Sequence, residues 1–127
     1  LWPLSDRAPL TGPQGMARGL VGLIGDAAHP MRPYLAQGAG MAIEDAAELQ
    51  RALAMADLDV STRLRRYALN RWQRNARVQA RSIRNGEIFH ATGLMRWGRD
   101  SALRLLGSRL MDVPWLYRGD GACATGW

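Results

Sequence analysis

The chain has 127 residues, 47% of them apolar, which fits one small globular domain and excludes a disordered protein. Its formal net charge is +6 and all 17 basic residues are arginine, a balance typical both of nucleic-acid binders and of a biased composition without lysine. The single cysteine excludes an internal disulfide, and no apolar run reaches the length of about 18 residues that a membrane span needs. No secretory signal is visible either, so a cytoplasmic protein is expected.

Two segments precede the first expected helix. Residues 1–18 are rich in proline, glycine and polar side chains, which is typical of a loop. Residues 19–26, GLVGLIGD, form a short apolar run without polar alternation, and this pattern predicts a buried, central, parallel strand. Because such a strand needs neighbours on both edges and no second strand is evident, we expect an N-terminal part of the same protein, missing from this sequence, to supply them.

A stiff loop and a helix follow. Pro30 and Pro33 fix their own φ angles and push the preceding residues towards extended geometry, so residues 27–37 are expected to be a loop. A helix is predicted from about Gly38 to Ala56. Its expected apolar face consists of Ala42, Ala46, Leu49, Leu53 and Ala56.

Two further helices are expected. Ser61 or Thr62 is the predicted N-cap of a long helix over residues 62–85, with Asn85-Gly86 as a stop or kink. This helix carries eight arginines: Arg63, Arg65, Arg66, Arg71, Arg74, Arg77, Arg81 and Arg84. A shorter helix fits residues 100–111, with Leu103, Leu106 and Leu110 on one side.

The segment between Gly25 and Gly40 has the features of a ligand site. A strand ending in Gly-Asp presents the Asp26 carboxylate at the carboxyl edge of a sheet, where α/β proteins bind ligands and where it would accept hydrogen bonds from sugar or ribityl hydroxyls. The helix opens on Gly38 and Ala39, so a flat ligand can approach backbone amides that favour an electron-rich group. These parts suit a flavin.

The 22 residues GDAAHPMRPYLAQGAGMAIEDA (25–46) resemble the second flavin-binding motif of class A flavoprotein aromatic monooxygenases, with the salicylate hydroxylase and 3-hydroxybenzoate 6-hydroxylase group as the nearest branch. The flanking phrases WPLSDRAPL, RRYALNRWQRNARVQARSIRNGEIFH and ALRLLGSRLMDVPWLY agree in order, so the likeness covers about residues 1–118. It implies an α/β fold, of which this chain would be the C-terminal part: an FAD/NAD(P)-binding, Rossmann-like flavoprotein monooxygenase, mostly helical in this fragment. The implied division is the end of the FAD-binding domain over residues 1–56, a helical region over 57–118 and a disordered tail over 119–127.

The resemblance also implies residue roles. Asp26 matches the aspartate that holds the ribityl chain, and Gly25 lets the strand end approach it. Pro33 matches the proline beside the isoalloxazine ring, near the reacting face, and Gln37 would face the substrate. The backbone that matches the helix start at the flavin pyrimidine edge is that of Gly38, Ala39 and Gly40.

The implied activity is hydroxylation of a small aromatic substrate. In this family NADH or NADPH reduces FAD, and O₂ supplies the oxygen atom that enters an electron-rich ring. The G-x-G-x-x-G fingerprint for the ADP half of FAD is missing, because Gly12 and Gly15 lie in a loop before a strand and not after one. We therefore expect the 127 residues alone to bind FAD poorly and to be inactive. A homodimer is left open.

Other interpretations stay open. Within the same superfamily the parent protein would be a flavin-dependent epoxidase, a ubiquinone-pathway hydroxylase or a reductase. In a different class it would be a truncated remnant or a basic binding module, whose arginine helix tracks phosphates. An arginine face packed against an acidic partner domain explains the same pattern, and nucleic-acid binding is the less favoured interpretation. His29 is expected to make a structural hydrogen bond, His90 to lie at the surface or cap a helix, and no spacing supports a metal site.

Overall fold

The structure is a computed structural model that describes residues 7–33, 37–90, 92 and 94–107. Two short strands, β1 (Ala17–Arg18) and β2 (Val21–Gly22), precede three helices, α1 (Gly38–Leu53), α2 (Val60–Phe89) and α3 (Leu94–Leu106). Single 3-10 turns lie at Pro13–Gly15 and Gly25–Ala27. The mostly helical character expected of this chain is confirmed.

The chain forms two compact units, Leu1–Gly86 and Glu87–Trp127. Both α1 and most of α2 belong to the first unit, so the expected boundary near residue 56 falls inside it. The division into residues 1–56, 57–118 and 119–127 stays a prediction, and the tail over 119–127 lies outside the described residues.

The expected parallel strand over residues 19–26 is wrong for the described chain. β1 and β2 form an antiparallel hairpin in which Ala17 pairs with Gly22 and Arg18 with Val21. The hairpin exposes its apolar side chains, since Leu20 is 77% and Val21 63% exposed. A strand buried on both faces needs sheet neighbours on both edges and covering layers, whereas in the described chain β2 has one neighbour, β1, and both of its residues are exposed. The predicted apolar run is present, but its side chains Leu20 and Val21 remain exposed in the described part of the chain.

Helix α1 begins at Gly38 as predicted but ends at Leu53, before the expected Ala56. The guanidinium of Arg63 explains the earlier end, because it binds three carbonyl oxygens of the connection to α2. The acceptors are Leu53 O at 3.0 Å, Ala56 O at 2.9 Å and Leu58 O at 2.6 Å. These bonds satisfy acceptors that a helix end leaves without partners.

The buried face of α1 also differs from the expected one. Met41, Asp45 and Ala52 are buried, whereas Ala46 is exposed and Leu53 is 43% exposed. Periodicity of apolar residues could not identify this face because a carboxylate lies at its centre.

Helix α2 begins at Val60, and its N-terminal cap is Asp59 and not Ser61 or Thr62. The Asp59 carboxylate accepts hydrogen bonds from Thr62 N–H at 3.0 Å and from the hydroxyls of Ser61 and Thr62, both at 2.6 Å. These bonds hold the pKa of the exposed Asp59 below its ordinary range. The helix runs through Asn85-Gly86 to Phe89, so this pair does not stop it.

The core of the first unit lies between α2 and the segments around it. Its buried residues are Leu10, Met16, Ala28, Ala52, Tyr67 and Ala68. Tyr67 is fully buried and its hydroxyl donates to Leu23 O at 2.9 Å, while burial raises the pKa of this phenol. Gln79 accepts from Leu10 N–H and donates to Arg7 O and Pro30 O, so α2 holds the loops that precede α1.

In the second unit, α3 begins six residues before the predicted start at residue 100. Trp97 is 78% and Leu105 85% exposed, and Leu103 is 41% exposed on the face that was expected to pack. Leu110 lies outside the described residues, as does Cys123, the single cysteine.

Candidate functional site

The turn that begins the candidate site requires glycine at its first position. Gly25 has φ +55° and is the buried first residue of the 3-10 turn Gly25–Ala27, whose other two residues are exposed. A Cβ atom at Gly25 would lie 3.2 Å from the Ala42 Cβ, on the second turn of α1. Both the left-handed backbone and this close approach favour glycine. The turn is therefore packed directly on α1.

Asp26 lies beside the start of α1. Its side chain is exposed, and its Oδ1 lies 3.8 Å from the position that a Cβ of Gly38 would take. The structure thus brings together a carboxylate and a helix start that are twelve residues apart in the chain. This juxtaposition was expected from the sequence.

The N-terminus of α1 has no side-chain cap among the described residues. Gln37 is the N-cap residue with αR backbone geometry, and its carbonyl accepts the first helical hydrogen bond, from Met41 N–H at 2.9 Å. The amides of residues 38–40 precede that first bond, and no acidic residue lies in the first turn. Such an end has donors and partial positive charge to offer a ligand.

The remaining predicted residues lie around this helix start. Ala39 and Pro33 are exposed, and Gln37 is half-buried. The Gln37 amide oxygen lies 3.6 Å from the position that a Cβ of Gly40 would take, so it is folded over the first turn. The roles expected for these residues stay predictions.

A buried polar network, which no sequence pattern had indicated, lies beneath the site. Asp45 is fully buried, and its Oδ2 accepts from Gly25 N–H at 3.2 Å and contacts His29 Nε2 at 2.6 Å. Its Oδ1 accepts from Arg71 Nε and Asn75 Nδ2, both at 2.9 Å. Burial alone would raise the pKa of Asp45, but the hydrogen bonds from His29, Asn75 and Arg71 outweigh it and lower that pKa. The structural hydrogen bond expected of His29 is confirmed.

A second acid–arginine group lies next to Asp45. Glu44 accepts two hydrogen bonds from Arg74 and lies 2.8 Å from Arg71 Nη1. Burial would raise the pKa of Glu44, yet the hydrogen bonds from Arg74 and Arg71 lower it below its usual value. Two of the eight arginines of the long helix are therefore buried against α1. The signal that could have identified them is the acidic pair at residues 44–45 facing basic and amide residues at helical spacing on α2.

Other kinds of site find no support in the described part of the chain. It contains no group of three metal-ligating side chains. None of the described helices is long and apolar enough to cross a membrane. A surface groove exists beside the hairpin, but the residues that line it do not include any of the predicted flavin contacts.

A carboxylate beside an uncapped, glycine-rich helix start is the arrangement expected in a class of protein that binds a hydroxyl-bearing, electron-rich cofactor. The family comparison identifies that class: residues 13–82 match the family described as FAD binding domain, and the chain belongs to this family. The matched range contains the Gly25–Ala27 turn, α1 and most of α2.

Curated relatives carry names of aromatic monooxygenases. The chain is 43% identical, over 95% of its length, to a 3-amino-4-hydroxybenzoate 2-monooxygenase of Streptomyces platensis. It is 38% identical over 91% of its length to a 3-hydroxybenzoate 6-hydroxylase of Klebsiella oxytoca. It is 49% identical over 61% of its length to a 6-hydroxynicotinate 3-monooxygenase of Bordetella bronchiseptica. The chain spans only 30%, 29% and 20% of these three relatives, respectively.

Proposed function

We propose that this chain is part of an FAD-dependent monooxygenase that uses NAD(P)H and O₂ to hydroxylate a small aromatic substrate. The observation that carries the proposal is the Asp26 carboxylate beside the uncapped start of α1, within a chain of the FAD-binding family. The names of the relatives support the reaction type.

The described residues fit a flavin in two respects. The exposed carboxylate of Asp26 is an acceptor for ribityl hydroxyls, which are hydrogen-bond donors. The amides of Gly38, Ala39 and Gly40 are donors for the electron-rich pyrimidine edge, and the helix dipole adds about 1–2 kcal/mol for a negative charge in a partly buried site. Gly25 permits the close packing that brings both features together.

Pro33 and Gln37 complete the proposed site. Pro33 is exposed at the end of the described loop and would lie against the flavin ring near its reacting face, while Gln37 would face the substrate. When bound, FAD supplies the redox and oxygen-transfer chemistry. The residues of this chain bind the cofactor, orient it and shield it from water.

The substrate class follows from what the relatives' names share. Each name specifies an aromatic ring that carries a hydroxyl and a carboxylate: an aminohydroxybenzoate, a hydroxybenzoate or a hydroxynicotinate. A ring hydroxyl makes the ring electron-rich, which suits attack by an electrophilic oxygen. We infer that this protein acts on a hydroxylated aromatic carboxylate.

The expected binding partner of this chain is the missing N-terminal part of the same protein. The relatives are more than three times as long as the part that the chain matches, and the hairpin exposes apolar side chains. We infer that the chain alone binds FAD weakly and is inactive. Location in the cytoplasm and assembly as a homodimer stay predictions.

The test uses the complete reading frame that contains this chain. The purified protein should carry a yellow cofactor with flavin absorbance, and its oxidation of NADH or NADPH should accelerate with a hydroxylated aromatic carboxylate such as 3-hydroxybenzoate. Mass spectrometry should show a product heavier by one oxygen atom. A protein that binds no flavin would overturn the proposal, and NAD(P)H oxidation without an oxygenated product would favour a reductase.

Asp26→Asn tests the site itself, with Asp57→Asn as its matched control because Asp57 is an exposed aspartate outside the site. Loss of a charge-assisted hydrogen bond should weaken FAD binding by about tenfold in Asp26→Asn. Equal FAD affinity in the two variants would argue against the ribityl assignment.

A further inference from the structure

One buried oxygen atom contacts the chain on both sides of Asp26. Asp45 Oδ2 accepts from Gly25 N–H at 3.2 Å and contacts His29 Nε2 at 2.6 Å. Asp26 lies between these two attachment points, and its own side chain is exposed. The place of the Asp26 carboxylate thus depends on the hydrogen bonds by which Asp45 of α1 holds Gly25 and His29.

The other oxygen of Asp45 fixes the direction in which Oδ2 points. Oδ1 accepts hydrogen bonds from Arg71 Nε and Asn75 Nδ2, both at 2.9 Å. These two side chains are one turn apart on α2, so the carboxylate cannot rotate without losing bonds to that helix. The turn, α1 and α2 are therefore joined through a single fully buried side chain.

The imidazole of His29 serves as the donor in this arrangement. A carboxylate whose pKa is lowered is ionised and only accepts, so the hydrogen between Asp45 and His29 resides on Nε2. His29 Nδ1 is buried and has no hydrogen-bond partner within the described residues. Among the described residues, the His29 ring therefore makes a single hydrogen bond, which is the bond to Asp45.

We propose that His29 and Asp45 are positioning residues of the flavin site, which hold the Asp26 carboxylate at the start of α1 where a ribityl hydroxyl can donate to it. The inference rests on the proposed function, because it assigns a role relative to FAD. It predicts that the His29–Asp45 bond affects cofactor affinity through Asp26 and not through the stability of the fold alone.

The experiment titrates the apoprotein of the complete reading frame with FAD and follows flavin fluorescence. His29→Leu removes the donor and should raise the FAD Kd about tenfold, whereas His29→Gln keeps a donor nitrogen of similar reach and should stay within about threefold of wild type. Arg74→Lys is the control, because it perturbs the neighbouring Glu44 ion pair and keeps both partners of the His29–Asp45 bond. Its FAD Kd should change less than about twofold.

A double-mutant cycle with Asp26→Asn separates positioning from general stability. If His29 acts through Asp26, His29→Leu should add less than about a twofold loss of affinity once Asp26 is already asparagine. A second full tenfold loss, or wild-type affinity in His29→Leu alone, would overturn the inference. Should His29→Leu not fold, His29→Asn, whose amide is too short to reach Asp45, takes its place in the cycle.

The outcomes also distinguish this inference from the proposed function. If the wild-type protein binds no FAD, the proposed function is wrong. If FAD binds normally and its affinity depends on Asp26 but not on His29, the proposed function stands and only the positioning role of His29 is wrong.

Discussion

Arg74 holds Glu44 through two parallel hydrogen bonds, from Nε to Oε2 at 2.7 Å and from Nη2 to Oε1 at 2.8 Å. The pair joins α2 to α1 across 30 residues of chain, and its side chains are only 8% and 23% exposed. A planar fork facing a carboxylate in this way is a geometry that lysine cannot reproduce.

We therefore predict that Arg74→Lys lowers the stability of the apoprotein by about 1–2 kcal/mol, since one charged hydrogen bond is lost in a shielded place. Thermal denaturation of the complete protein measures the effect. Arg65→Lys on the same helix is the control, because Arg65 is exposed and the change should cost less than about 0.5 kcal/mol. Equal midpoints for the two variants would show that the fork contributes nothing.

The stability of the fold should also depend on pH through Glu44 and Asp45. Their pKa values are lowered in the folded state, so the unfolded chain binds more protons once the pH falls to the ordinary range of about 4 to 4.5. The stabilisation by these carboxylates is complete above that range and is lost as the pH falls through the folded-state values. Midpoints of the apoprotein should fall steeply below about pH 5.

Asp45→Asn provides the comparison for this pH dependence. The variant should be less stable than wild type at pH 7. Plots of unfolding midpoint against pH should converge for the two proteins as the pH falls, because wild type then loses the stabilisation by the ionised Asp45 carboxylate that the variant already lacks. Curves that stay parallel down to pH 3 would rule out the ionised Asp45 as a source of stability.

The glycine of the candidate site permits a matched pair of substitutions. Gly25 and Gly19 have nearly the same φ, +55° and +59°, but only Gly25 has a neighbour within 4 Å of a Cβ position, Ala42 Cβ at 3.2 Å. Gly19→Ala should cost about 1–2 kcal/mol from the backbone alone. Gly25→Ala should cost about 1 kcal/mol more through overpacking, and it should weaken FAD binding.

Denaturation and FAD titration of the two variants measure these effects side by side. If Gly19→Ala weakens FAD binding as much as Gly25→Ala does, the close packing of the turn on α1 is not what shapes the site.

The local parts of this structure could be predicted from the sequence, and the long-range parts could not. The helix start at Gly38 and its closeness to Asp26 follow from glycine, proline and a short loop. The burial of Asp45 depends on Arg71 and Asn75, which lie 26 and 30 residues further along, and no apolar period marks it. The prediction of a buried strand over residues 19–26 was wrong for a related reason. An apolar run of this kind needs neighbouring strands and covering layers, and the described residues form only the β1–β2 hairpin there.

The exposed hairpin gives the last prediction, that one substitution will have opposite effects in two contexts. Val21 is 63% exposed in this chain, which spans only 30% of a curated relative, so we expect residues of the longer protein to cover it. Val21→Asp should make the isolated chain more soluble, because it removes apolar surface. In the complete protein the same change should lower the yield of folded, FAD-containing enzyme, since it would bury an unpaired charge. Val21→Ile, which stays apolar and β-branched, is the control and should leave both nearly unchanged. Sedimentation of the isolated chain and flavin content of the complete protein measure the two arms. A complete protein that tolerates Val21→Asp with normal flavin content would show that the hairpin stays at the surface there too.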